Sequence, residues 1–358
     1  SFPTRRSSDL AGIVPSHPAC FVAAAALLAA GFGLTLFNLG RTLWAARPLP
    51  LPARFVVVAL LSLGATVVLG IIFTLVLGGI ATVPHLLNVT ALGLPIHVIA
   101  GLGGWLTFSA IGVSYRLLAM FMLAPELEGP TTRAAFYCGT GALGVAILGG
   151  FAAVCASGNV IMIVSAGGIL GLAGIACYGR DVLHLYRARK RRVIELNSRM
   201  AGVALGNLVA TLVVSIGLLI AGVFGKHVGV VVFLIAFGWL TNLGLAKLYK
   251  IVAFVTWLEC YGPVLGKTPT PRVQDLVVEN RANKWFVLFT VAVWCAAASL
   301  MLGAPLPFRL SAGVMLLATV GIIKQLLRTR RLANVQPTLR LPKGVRPPHL
   351  LYCWVQPT

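Results

Sequence analysis

Acidic residues are scarce. Only eight Asp and Glu occur in 358 residues, and charged residues of either sign make up 10% of the chain. A soluble domain carries about a quarter charged residues, so this chain cannot cover a water-facing surface of its size. That excludes a soluble enzyme, a disordered chain and a nucleic-acid-binding domain. Also missing are CxxC, CxxCH and HExxH motifs, a phosphate-binding loop and a nucleophile elbow. Covalent heme attachment, a disulfide framework, a zinc site and phosphoryl transfer therefore have no sequence support.

Long apolar runs fill the space instead, with 58% hydrophobic residues. The sequence predicts an all-α, polytopic transmembrane bundle. A spanning helix needs about 20 apolar residues, and nine segments qualify, at roughly 20–40, 54–80, 92–123, 133–155, 159–183, 199–222, 227–257, 285–303 and 307–327. The opening, Ser1-Phe2-Pro3-Thr4-Arg5-Arg6-Ser7-Ser8-Asp9-Leu10, resembles a translated sequencing-library adapter and is expected to be foreign to the fold. Residues 11–19 are expected outside the membrane, 20–327 within the bundle, and 328–358 in a basic, Pro-containing cytoplasmic tail that is extended and mobile. An odd helix count with an external start also fits a first helix lost with the native N-terminus.

The net charge of +21 reports orientation, not nucleic acid. Arg187, Arg189, Lys190, Arg191 and Arg192 fix the end of the fifth span in the cytoplasm. Alternation then leaves only Lys226 and Arg309 outside among the cations beyond the first ten residues. The expected location is the bacterial inner membrane with a cytoplasmic C-terminus. The lipid bilayer is the first partner.

The chain carries an apparent internal repeat. Gly104-Trp105-Leu106-Thr107 recurs as Gly238-Trp239-Leu240-Thr241. Tyr115-Arg116 and Tyr249-Lys250 follow in register, then Ala119 and Ala253, then Gly129-Pro130 and Gly262-Pro263 with a one-residue slip. The match predicts a parallel duplication of four-helix units, near 54–188 and 199–327.

At helical spacing, His97, Gly101, Gly104, Phe108, Gly112, Tyr115 and Ala119 share one face of the third span. Glycines in a stripe admit either a neighbouring helix or a flat ligand. An imidazole in that stripe either hydrogen-bonds a neighbour or ligates heme iron or copper. His17, His85, His97 and His227 all fall on or near the outer half of the bundle and form the candidate metal set, with Met162 and Met301 suited to copper. In the second copy Val231 replaces His97; Asn242 is expected to bond across helices and Lys247 to snorkel inward. Every acidic residue beyond Asp9 is placed in an inner loop or at a helix end. That argues against a cation-coupled transporter.

His97, Gly104-Trp105, Tyr115 and Leu117-Leu118 together resemble a helix motif of heme–copper oxidase subunit I and its nitric oxide reductase relatives. The chain is also similar to uncharacterised bacterial membrane proteins with two such segments. Those relatives often carry proline where Ala119 and Ala253 stand. The resemblance implies His97 as an axial ligand of heme b, with Gly101, Gly104 and Tyr115 lining the site, or a copper site near the outer face. It implies electron transfer, sensing or maturation of respiratory enzymes, with respiratory-chain membrane proteins as partners and no catalytic turnover. A permease and a cofactor-free structural partner of a respiratory complex are the competing expectations.

Overall fold

The computed structural model describes residues 18–341 except Ser157, together with Val345 and Pro348. His17, the first ten residues and most of the expected tail lie outside the described residues. Among those described there is no strand, and nine helices are long and apolar enough to cross a membrane. They are α1 (Pro18–Ala45), α2 (Leu51–Leu77), α3 (Leu94–Met122), α4 (Pro130–Cys155), α5 (Val160–Arg187), α6 (Leu196–Ile220), α7 (Phe224–Val264), α8 (Glu279–Met301) and α9 (Pro305–Arg330). The all-α, multi-pass expectation holds. Helices are the economical answer here, because lipid offers no partner to a free backbone N–H or C=O.

Proline and glycine punctuate the spans. Pro130 and Pro305 sit in the first turns of α4 and α9, where the missing N–H goes unneeded. Gly222 (φ 69°) and Gly303 (φ 63°) end α6 and α8 in the left-handed region, which a side chain would strain. The chain divides into two compact units, residues 1–190 and 191–358.

In unit 1, α2 packs along α3 and α4 along α5, while α1 touches α2. The crossings close where side chains are smallest. A Cβ on Gly104 would lie 2.3 Å from Ser62 Cβ on α2, and one on Gly139 of α4 would lie 2.5 Å from the Phe108 ring of α3. In unit 2, α6 packs on α7 and α8 on α9. A Cβ on Gly321 would collide with the Trp285 indole at 2.2 Å.

Both GWLT segments are wound as π-helix, over Ile99–Thr107 in α3 and Leu234–Thr241 in α7. A third π stretch, Val145–Gly149, interrupts α4. Runs this long are uncommon, and π winding concentrates at functional positions. Each GWLT glycine faces an equivalent place on the preceding helix. Gly104 abuts Ser62, whose carbonyl accepts from the Thr66 hydroxyl at 2.8 Å; Gly238 faces Asn207, whose carbonyl accepts from Thr211 at 2.7 Å. The sequence intervals differ because unit 1 inserts the short helix Pro84–Leu92 between α2 and α3.

The segment after α9 departs from the expected extended tail. α9 runs on to Arg330, and the chain then folds back on the end of α7. Leu332 and Val335 are buried with Cys260, Tyr261 and Leu276. The Tyr261 hydroxyl donates to the Arg340 carbonyl at 2.7 Å, and Asn334 Nδ2 donates to the Leu276 carbonyl at 3.0 Å. Apolar residues hidden among the basic ones drive this docking. In the loop beneath, burial disfavours the Asp275 charge, yet hydrogen bonds from the Arg272 side chain and main chain hold that carboxyl below its usual range.

Candidate functional site

The four residues expected to line one cofactor do not meet. His97 and Tyr115 share a face of α3, but 18 residues of helix separate them by about 27 Å. They belong to two different places.

His97 sits at the start of the π segment, in the seam between α2 and α3. Its ring lies 5.4 Å from Phe73, tilted by 50°, and its Cε1 is 3.4 Å from where a Cβ on Gly70 would stand. The Thr66 main chain interacts with the ring. Nδ1 is enclosed and has no hydrogen-bond partner. Of the two uses open to the glycine stripe, the fold realises helix packing. Gly101 faces Thr66, Gly104 is pressed onto Ser62, and a Cβ on Gly112 would lie 2.6 Å from the Pro52 carbonyl oxygen. A porphyrin cannot lie over Gly101 and Gly104 while α2 occupies that face.

The other candidate histidines stand on other elements. His85 is exposed on the short helix Pro84–Leu92, and His227 is half-buried on α7 of the other unit. His17 lies outside the described residues. Among the described residues, no group of three or more His, Cys, Asp or Glu side chains is placed to hold a metal ion.

Tyr115 serves a different centre. Its hydroxyl donates to Asp181 Oδ2 at 2.9 Å, and the Thr132 hydroxyl donates to the same oxygen at 2.8 Å. Asp181 is 6% exposed, Thr132 1% and Tyr115 4%. The Tyr178 ring meets Tyr115 edge-on at 5.4 Å, and Phe55 packs at 5.7 Å. The three groups come from α5, α4 and α3, so one carboxylate ties three helices together. A buried carboxylate needs such donors, because lone pairs stripped of water are costly to leave unmade. Tyr115→Phe is expected to lower the stability of detergent-solubilised protein by about 1.5 kcal/mol, the size of a hydrogen bond to a charged group. Chemical unfolding checks this, and a change below a few tenths would mean that Thr132 alone satisfies Asp181.

Asp181 falls near the end of the fifth predicted segment, where a carboxylate reads as solvated; α5 runs on to Arg187, and the carboxylate is buried among α3, α4 and α5. The signal that would have found it is the tyrosine at the matching depth of α3.

Unit 2 holds a second buried ionic group. Lys250 Nζ pairs with Glu195 Oε2 at 2.7 Å, each side chain 12% exposed, and Arg191 pairs with the other Glu195 oxygen. Glu279 Oε1 accepts the Leu196 main-chain N–H at 2.9 Å. Asn242 does bond across helices, donating to Thr290 Oγ1 on α8 at 2.9 Å. Lys247 does not snorkel to an exposed position; it is 6% exposed within unit 2. No family model, curated protein or solved structure matches the chain.

Proposed function

We propose that the chain is an oxidase-like protein of the bacterial inner membrane, with its C-terminus in the cytoplasm, in which His97 would hold a heme b or copper centre. The carrying observation is the enclosed, unpartnered Nδ1 of His97 beside a nine-residue π segment. A neutral imidazole lone pair suits either metal. Gly101 and Gly104 are packed on α2, so of the expected lining residues His97 alone would hold such a group. Such a centre would supply one-electron chemistry; this chain's part is to orient the ring, through Phe73 and the Thr66 main chain, and to exclude water. Electron transfer, sensing or respiratory-enzyme maturation fits this better than turnover, and respiratory membrane proteins are the partners. The matched glycine packing and π winding of α3 and α7 support an origin by duplication of four-helix units.

Purified protein is expected to show a Soret band, or stoichiometric copper by metal analysis, that His97→Ala removes entirely while His85→Ala leaves it. Colourless, metal-free protein sinks the reading.

One observation favours transport as a second reading. Asp181 is a carboxylate buried between three helices, the kind of group cation coupling needs. Proteoliposomes are then expected to move a solute under a proton or sodium gradient, with Asp181→Asn abolishing uptake and Thr132→Ser retaining it. Gradient-independent leakage equal in both variants counts against it.

A further inference from the structure

Two cavities on unit 1 join at the end where α1 finishes and α2 begins. One, of about 720 Å³, is lined by Arg47, Leu49, Arg54, Val57 and Phe136 among others. The second, of about 380 Å³, shares Arg47, Leu49 and Val57 and runs up the seam of α1 and α2 past Leu43, Gly40 and Gly64. From Val57 to Gly64 the groove follows about 10 Å of α2, a large part of the roughly 15 Å that one leaflet's hydrocarbon occupies. Gly40 and Gly64 face open space along it, since a Cβ at either would meet nothing within 4 Å.

The mouth of this groove is cationic and carries no acid. Neither lining set contains Asp or Glu. Both guanidinium groups are held in place: Arg47 stacks 3.6 Å over the Trp44 ring, and Arg54 Nε donates to the Leu49 carbonyl at 3.2 Å, which leaves its terminal nitrogens free to face a ligand. The neighbouring cavity at Pro52 and Tyr115 makes the contrast. There Glu126 and Glu128 flank Arg116, and Glu126 already pairs with it.

We infer that the seam of α1 and α2 is a binding site for one anionic phospholipid, its phosphate between Arg47 and Arg54 and one acyl chain along Gly40 and Gly64. Two fixed donors over an apolar channel recognise a phosphate with a chain attached. Neither feature alone would do so. Each cation near an anionic lipid surface is worth about a fivefold gain in binding, so the pair separates phosphatidylglycerol from phosphatidylcholine by roughly twentyfold.

The test is lipid extraction and mass spectrometry of the detergent-purified full chain after exchange through nanodiscs of equimolar phosphatidylglycerol and phosphatidylcholine. The expected result is about one phosphatidylglycerol retained per chain, a roughly twentyfold loss in the Arg47→Gln/Arg54→Gln variant, and full retention in Arg116→Gln. Gly64→Leu, which fills the channel and leaves the cations intact, is expected to lose the lipid as well. It keeps the question decidable if the double variant does not fold. Equal retention of both lipids, retention unchanged in the double variant or in Gly64→Leu, or displacement by glycerol 3-phosphate at millimolar concentration would each overturn the assignment, the last by showing that headgroup charge alone binds.

Discussion

Glu195→Ala is expected to lower the stability of unit 2 by about 3 kcal/mol, the low end for breaking a buried ion pair. The carboxylate stands just before α6 and faces cations from two sides, Lys250 of α7 at 2.7 Å and Arg191 of the preceding turn. Removing it leaves the Lys250 ammonium, 12% exposed, with Glu279 as its remaining attraction and most of its desolvation unrelieved. Coulomb attraction in the intact group offsets that desolvation without greatly exceeding it, so deleting both partners should be far gentler than deleting one. The variant Glu195→Leu/Lys250→Met is therefore expected to recover most of the loss. Denaturant titration of the purified protein, followed by tryptophan fluorescence, checks both numbers. A single-variant loss below 1 kcal/mol would show that water reaches the pair and that the ionic group is ornamental to the fold.

Hydropathy made the architecture legible and side-chain pairing did not follow from it. Nine apolar runs of sufficient length leave few alternatives to nine helices, because lipid enforces helical backbone bonding over each. Boundaries slipped where polar residues are buried. α7 extends to Val264 although Glu259 lies within it, since Arg330 neutralises that carboxylate at 2.7 Å. The same blindness hid the partners of Asp181: one charge near a helix end reads as solvated until its contacts on other helices are known. The glycine stripe of α3 was legible as a close approach, yet only the fold decides what approaches, and Ser62, Thr66 and Pro52 of α2 do so. Residues 332–341 read as tail because they follow the Arg328, Arg330 and Arg331 cluster and form no long apolar run, while Leu332 and Val335 supply the docking. The π winding of α3 and α7 had one visible correlate, the GWLT string that both segments share; the stretch at Val145–Gly149 has none.

Asn207→Leu is expected to cost about 2 kcal/mol, and the loss should fall on the π segment of α7. Asn207 Nδ2 donates to the Gly238 carbonyl at 2.9 Å, and its Oδ1 accepts from the Trp294 indole N–H of α8 at 3.1 Å. One amide thus satisfies two polar groups on two helices, and α6, α7 and α8 are joined through it. Membrane hydrogen bonds average well under 1 kcal/mol, reaching about 1.7 at most, because the unfolded chain also finds partners. Two bonds at one hinge, with two orphaned groups left behind, place the sum near the stated figure. Leucine matches asparagine closely in size, so packing contributes little to the difference. Trp294→Phe removes one donor and one bond together and is expected to cost under 1 kcal/mol; combined with Asn207→Leu it should add almost nothing, since the indole is no longer stranded. Hydrogen exchange localises the effect, with amides of 234–241 expected to exchange faster in Asn207→Leu and those of 99–107 unchanged, because Gly104 is pressed against Ser62 by contact alone. Strict additivity of the two substitutions, or unaltered exchange across 234–241, would mean that the wide winding is held by its own backbone and that the amide merely decorates it.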